Sequence, residues 1–262
     1  MWLLIDVGNT RLKWAAVPAP PAPAQLGQWL ACGNAGLADL GQLTAKWRAM
    51  PIGRILVANV AGDAIRRQLE RLFAMSAAPV AIEVEWFASS ASAAGVRSRY
   101  RRPEQLGCDR FAAAIGAHAL FPAQPLIVAS CGTATTIDAV SADGVFIGGL
   151  ILPGLDLMTT SLAKNTAQLP QVNQGNEKRS LPFADNTDDA ILSGCIAAQV
   201  GAIERAVRLH PDPAVTATCV LAGGAAKSIA PVLSVPYNMV DNLVLVGLHA
   251  VAIDQQQSGA TC

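Results

Sequence analysis

The sequence predicts an α/β protein built from two similar halves. Three observations predict this. An apolar strand, a small-residue turn and a return strand open the chain, at Trp2–Val7, Gly8-Asn9-Thr10 and Arg11–Val17. The same pattern of strand, small-polar turn and strand recurs at Leu126–Val140, with Gly132 in the place of Gly8, and helical periodicity follows in each half. Laying Gly132 on Gly8 is a displacement of 132 − 8 = 124 residues, close to half of the 262-residue chain. Under that displacement Asp6 falls on Ser130, so the second copy lacks the carboxylate of the first.

The remaining elements follow in order. Pro18–Pro23 carries four prolines and reads as an exposed connection. Ile55–Val60 reads as a short buried strand. Ala64–Met75 places Ile65, Leu69, Leu72 and Phe73 on one helical face with arginines opposite. After the second hairpin comes Gly148-Gly149-Leu150-Ile151-Leu152-Pro153-Gly154, then helical sequence from Leu155 to Leu162. The polar stretch Gln168–Asn186 reads as a surface loop. Thr187 reads as a helix N-cap, with Asp188 and Asp189 in the first turn of a helix running through Val207. Val220–Gly224 ends a strand at a glycine turn, and Asn242–Ile253 closes the chain as an apolar helix. The length suits two lobes of roughly 100–150 residues, expected at 1–117 and 118–262. Such halves describe a duplicated actin-like (ribonuclease H-like) fold, in which two similar lobes hold a nucleotide cleft between them.

Composition excludes several function classes. Hydrophobic residues make up 52% and charged residues 15%, which calls for a large core or a covered subunit interface. Lys plus Arg and Asp plus Glu both total 19, so no global basic field exists to attract nucleic acid or an anionic membrane. The four arginines between Arg97 and Arg102 read as a solvated run. None of the six cysteines forms a CxxC pair, which argues against a structural zinc site. The opening residues lack a basic n-region and carry Asp6 early, unlike a signal peptide. Residues Phe111–Ile137 hold no Asp, Glu, Lys or Arg, but Pro122 and Pro125 interrupt them, so a helix followed by a buried strand is expected rather than a membrane span.

Three constellations can carry chemistry. In Asp6-Val7-Gly8-Asn9-Thr10 with Lys13, the glycine lets backbone N–H groups approach phosphate oxygens. Asn9 and Thr10 add neutral donors and Lys13 a point charge, while Asp6 is placed to hold Mg²⁺ through water. An ordinary hairpin turn would use the same residues. Gly132-Thr133-Ala134-Thr135-Thr136 with Asp138 is the natural mate of that loop, although threonine hydroxyls also serve neighbouring backbone. Gly107-Cys108-Asp109-Arg110 leads into an Ala-rich helix. There Asp109 either caps the helix or accepts a hydroxyl proton as that oxygen attacks a γ-phosphorus, with Arg110 holding an anionic substrate group.

Taken in sequence, DVGNT with Lys13, the block Tyr100–Arg110 ending GCDR, GTATTID, GG-LILPG and Thr187-Asp-Asp-Ala-Ile-Leu-Ser-Gly194 resemble the type III pantothenate kinases over nearly the whole chain. The resemblance implies ATP-dependent phosphorylation of pantothenate, the first step of coenzyme A synthesis. It implies an ATP-binding segment of Asp6, Val7, Gly8, Asn9, Thr10, Arg11, Leu12 and Lys13, joined by Gly132 and Thr133. It makes Asp109 the proton acceptor, with Tyr100, Gly107, Cys108, Asp109, Arg110 and Thr187 at the pantothenate site. A homodimer using Mg²⁺ and a monovalent cation, K⁺ or NH₄⁺, is also implied, while the scattered cysteines without a secretion signal fit a reducing cytoplasm. The family pattern sets an Asp for that cation two residues before the Gly-Thr pair. Here Ser130 stands there, and a neutral hydroxyl holds K⁺ far less well, so weak or absent K⁺ activation is expected. Two other readings stand beside this one: a kinase of the same superfamily acting on acetate, a sugar or polyphosphate, and a transcription accessory protein on a kinase scaffold, as some relatives are named.

Overall fold

The computed structural model describes residues 1–74, 82–172, 183–212 and 216–259. It divides into two compact units, Met1–Pro122 with Asn242–Cys262, and Ala123–Asp241.

The first unit is a five-stranded sheet. Its strands are β1 (Trp2–Val7), β2 (Arg11–Val17), β3 (Ala31–Gly36), β4 (Arg54–Asn59) and β5 (Glu83–Phe87), ordered β3-β2-β1-β4-β5. The β1–β2 and β2–β3 pairs are antiparallel, and β1–β4 and β4–β5 are parallel. β1 is apolar at nearly every position because it is covered on both faces. Leu3, Ile5 and Val7 join Leu12, Trp14, Ile55 and Val57 in one core, closed by α1 (Gly41–Arg48) through Leu43 and Trp47 and by α2 (Asp63–Ala74) through Leu69 and Phe73. Alternation sends Trp2, Leu4 and Asp6 to the opposite face. A short hairpin, β6 (Ser92–Ala93) with β7 (Val96–Ser98), precedes α3 (Cys108–Leu120).

The second unit repeats this order. Its strands are β8 (Leu126–Cys131), β9 (Ala134–Val140), β10 (Val145–Pro153), β11 (Thr218–Ala222) and β12 (Tyr237–Met239), ordered β12-β11-β8-β9-β10. Again the two hairpin pairs are antiparallel and the two crossover pairs parallel. Helix α4 (Leu155–Asn165), the 22-residue α5 (Thr187–Arg208) and the single turn α6 (Ala226–Ile229) complete it. Ile191, Cys195, Ile196, Val200 and Ile203 of α5 pack on Ile127, Ala129, Cys131 and Leu221. α5 is also long and apolar enough to cross a membrane by length and composition.

The sequence repeat is therefore a structural one. A displacement of 124 lays Trp2–Val7 on Leu126–Cys131, while Arg11–Val17 reaches Ala134–Val140 at 123. The second turn is one residue shorter: four residues separate the paired Val7 and Leu12, and three separate Cys131 and Thr135.

The last helix, α7 (Leu243–Gly259), belongs to the first unit, whereas the sequence reading placed the whole chain after 117 in a C-terminal lobe. It packs along α3 so closely that a Cβ on Gly247 would overlap the Ala112 carbonyl. Several strands lay below sequence detection. β3 reads Ala-Cys-Gly-Asn-Ala-Gly, a poor strand by propensity, and is held by its register with β2. Of the expected elements, Met75 and much of the 168–186 loop lie outside the described residues.

Candidate active site

The first constellation is built at the end of β1. The Gly8 N–H donates to the Arg11 carbonyl at 3.0 Å and closes the turn, leaving Asn9, Thr10 and Arg11 exposed. Val7 and Leu12 are buried in the core, so what they can offer a ligand is backbone. Asp6 lies directly across the ladder from Lys13. Burial pushes the Asp6 carboxyl up to about 6; Lys13 pulls it down and the nearby Asp109 pushes it further up. The strand end thus carries a poorly solvated carboxylate with Lys13 facing it.

Asp109 reaches the same neighbourhood from α3. Gly107 is the N-cap residue and Asp109 stands in the first turn, where its Oδ1 accepts the Arg110 N–H at 2.8 Å. Burial raises the Asp109 carboxyl above the usual range, against the Arg110 N–H and the Arg110 charge, which lower it. Cys108 fixes this turn to the sheet: its thiol donates to the Asn59 carbonyl at 3.6 Å. Burial, and then the two carboxylates Asp109 and Asp6, push that thiol up to about 11, so it stays protonated as a donor. Asn59 braces its own turn, its Oδ1 accepting from Ala61 N–H at 2.9 Å and its Nδ2 donating to Gly62 O at 3.1 Å. Sequence reasoning missed Asn59. Its signal was an Asn at a strand end, three residues before Gly62.

Tyr100 and Arg110, ten residues apart, do meet. Arg110 is 7% exposed, and its Nη1 donates to the Tyr100 hydroxyl at 3.0 Å. The Tyr100 N–H is in turn held by Ser98 Oγ at 3.2 Å. A buried guanidinium with a phenol beside it is suited to a carboxylate ligand.

The second constellation lies in the second unit. Gly132 N–H donates to the Ala134 carbonyl at 3.0 Å, and Gly132 and Thr133 are exposed at the tip. Two later turns brace this loop. Gly154 N–H donates to Thr133 O at 3.0 Å, and Ala225 N–H to Cys131 O at 3.1 Å. A Cβ at Gly154 would overlap the Gly132 carbonyl, and one at Gly223, where φ is +94°, the Cys131 carbonyl. Ser130 is half-buried and faces Thr136 across the ladder, where the first unit has Asp6 and Lys13. Thr187 is the first residue of α5 and exposed. The N-cap is Asn186, not Thr187 as expected from sequence: Asn186 has extended backbone (φ −144°, ψ 160°), and its side chain accepts the Asp189 N–H at 3.0 Å.

Among the described residues no three His, Cys, Asp or Glu side chains cluster as a metal cage. A site that pairs one desolvated carboxylate with a lysine and an exposed glycine turn suits a phosphate-bound cation instead.

The sequence model of the type III pantothenate kinase family matches residues 2–209. Two relatives named type III pantothenate kinase cover nearly the whole chain. The one from Janthinobacterium sp. (strain Marseille) is 58% identical over 266 residues, covering 100% of both chains. The one from Herminiimonas arsenicoxydans is 57% identical over 255 residues, covering 97% and 98%. Among solved structures, a protein named as a 2-dehydro-3-deoxygalactonokinase, from Sinorhizobium meliloti, matches with a TM-score of 0.61 at 15% identity over 96% of this chain and 98% of its own. A protein named as a Baf family transcriptional activator, from Campylobacter jejuni, matches with a TM-score of 0.59 at 16% identity over 98% and 99%. These two likenesses show the duplicated actin-like fold. Family match and full-length identity together settle the rest: the chain belongs to the type III pantothenate kinase family.

Proposed function

We propose that the protein transfers the γ-phosphoryl group of ATP to the primary hydroxyl of pantothenate, giving 4′-phosphopantothenate for coenzyme A synthesis. The observation that carries this is Asp109: a desolvated carboxylate at a helix start, sharing its surroundings with Asp6 of the glycine turn and followed directly by the Tyr100-bound Arg110. Asp109 takes the hydroxyl proton as that oxygen bonds to the γ-phosphorus. The bond from phosphorus to the β-γ bridging oxygen breaks, and ADP leaves with that electron pair. Arg110 supplies the positive charge for the pantothenate carboxylate, with Tyr100, Gly107, Cys108 and Thr187 completing that site. The backbone and side chains from Asp6 to Lys13, with Gly132 and Thr133, hold the ATP phosphates.

Asp6 would hold Mg²⁺ through water, and the ion would neutralise phosphate charge. Ser130 offers only a hydroxyl to a monovalent cation. The exposed apolar residues Leu150, Ile151, Leu157 and Leu162 of the second unit support a homodimer, as the surface a second copy covers. The free cysteines among the described residues suit the reducing cytoplasm.

The test is pantothenate-dependent ADP release by the wild type and by Asp109→Asn. The substitution keeps the side chain's size and removes the acceptor, so turnover should fall by roughly 10²–10⁴. An unchanged rate removes Asp109 from the mechanism. Turnover with acetate or a sugar, but not with pantothenate, overturns the acceptor assignment.

A further inference from the structure

Gln199 lies in the middle of α5, is fully buried, and sits amid aliphatic side chains. Burying an amide is unfavourable unless its hydrogen bonds are made. Both protons of Nε2 are used: one goes to the Pro153 carbonyl at 2.7 Å, the other to Met158 Sδ at 3.2 Å. Oε1 has no partner. The amide cannot be turned over, because that would set Oε1 against the Pro153 oxygen. The unit therefore keeps a half-satisfied amide in its core, where Leu or Met would bury no unpaired oxygen.

The target of that amide explains the choice. The Pro153 carbonyl and the Gly154 N–H belong to one peptide group, and in a trans peptide the two point in opposite directions. The Gly154 N–H donates to Thr133 O at 3.0 Å, and the Gly154 Cα is pressed against the Gly132–Thr133 backbone with no room for a Cβ. Gln199 thus fixes from behind the single peptide plane whose front edge holds the exposed Gly132–Thr133 loop. Pro153 adds a fixed φ just before that plane.

We infer that Gln199 is a positioning residue for nucleotide binding, acting through the Pro153–Gly154 peptide on the Gly132–Thr133 loop. The inference rests on the proposal that this loop holds ATP phosphates. Gln199→Met preserves length and volume and removes the donor. The variant should keep or raise the thermal midpoint, while the Kd and KM for ATP rise roughly tenfold, the size of one well-placed hydrogen bond. The KM for pantothenate should stay within about twofold, since nothing at Arg110 has changed. A lowered midpoint with ATP binding unchanged would make Gln199 merely structural and overturn the inference.

If Gln199→Met does not fold, Gln199→Glu keeps the shape. Ionised, its carboxylate repels the Pro153 oxygen; protonated, its O–H restores the donor. Its Kd for ATP relative to wild type should therefore improve as pH falls from 8 to 5.5, a range about where a buried Glu titrates. A ratio independent of pH overturns the inference. If the wild type binds ATP but does not turn over pantothenate, the acceptor assignment fails, and the ATP-binding comparison still decides the role of Gln199.

Discussion

The two hairpin turns descend from one pattern, and they have been built in opposite ways. The first is charged: Asp6 faces Lys13, and its turn is braced by the Val60 N–H, which donates to Val7 O at 3.0 Å. The second is neutral and clamped: Ser130 faces Thr136, and Gly154 and Gly223 press on its backbone. The difference teaches that duplication supplied two turns at matching ends of matching sheets, and their side chains then diverged. The first turn keeps the carboxylate, in a desolvated place. The second offers exposed backbone and a threonine, held rigid by its neighbours.

The clamp is the easiest part of this contrast to break. Gly223→Ala must accommodate both a left-handed φ of +94° and an overlap with the Cys131 carbonyl. It should cost about 4 kcal/mol or more and leave the second unit unfolded, as thermal denaturation would show. Gly8→Ala meets ordinary van der Waals distance and should shift stability by less than about 1 kcal/mol. Equal losses at the two glycines would abolish the distinction.

Asp6 tests the charged side. Its carboxyl is raised from 3.8 to about 6, so the folded protein binds its proton more tightly than the unfolded chain. Asp6 therefore contributes most to stability below about pH 4. That contribution is lost as pH rises through 6, leaving an ionised carboxylate that costs about 3 kcal/mol near pH 7.5. Asp6→Asn should stabilise the protein by up to that amount at pH 7.5 and by little at pH 4. If Asp6 holds Mg²⁺ as proposed, the substitution should also lower turnover by roughly 10²-fold. An equally stable variant at both pH values would show that Asp6 is better compensated than its burial implies.

Much of this was legible in the residues. A repeat of 124 places and an apolar run at each end of it located β1 to the residue and the start of β8, because a strand buried on both faces is apolar nearly throughout. The DVGNT and GCDR motifs led to Asp6 and Asp109, which electrostatics couples in the structure. What escaped was held by partners distant in sequence. β3 and β12 lack strand propensity and exist through register. Asn59 and Gln199 look ordinary until the groups they hold, Cys108 and Pro153, are in place 49 and 46 residues away. The α5 cap was misplaced by one residue because Asn and Thr are both good caps, and only backbone angles separate them.

The Cys108 tie offers a smaller effect. Cys108→Ala removes the donor to the Asn59 carbonyl and frees the first turn of α3, and kcat should fall about fivefold to tenfold with the KM for ATP unchanged. Cys108→Ser restores a donor, so it should recover most of the loss. If Ser and Ala behave alike, the thiol merely fills space.

The smallest effect concerns Ser130. A carboxylate at this position would give the second turn the charge the first has in Asp6, and with it a counter-ion for a bound monovalent cation. With a hydroxyl there, replacing K⁺ by a bulky organic cation at constant ionic strength should change turnover by less than about twofold, since a neutral oxygen offers K⁺ no ionic attraction beyond what water gives. Ser130→Asp should create a saturable K⁺ response. It should also lower stability when K⁺ is withheld, because the new carboxylate enters a half-buried position with no lysine across the ladder: its partner there is Thr136. Strong, saturable K⁺ activation of the wild type would show that the second turn gathers a cation without a carboxylate, and the division of labour between the two turns would be less sharp than their side chains suggest.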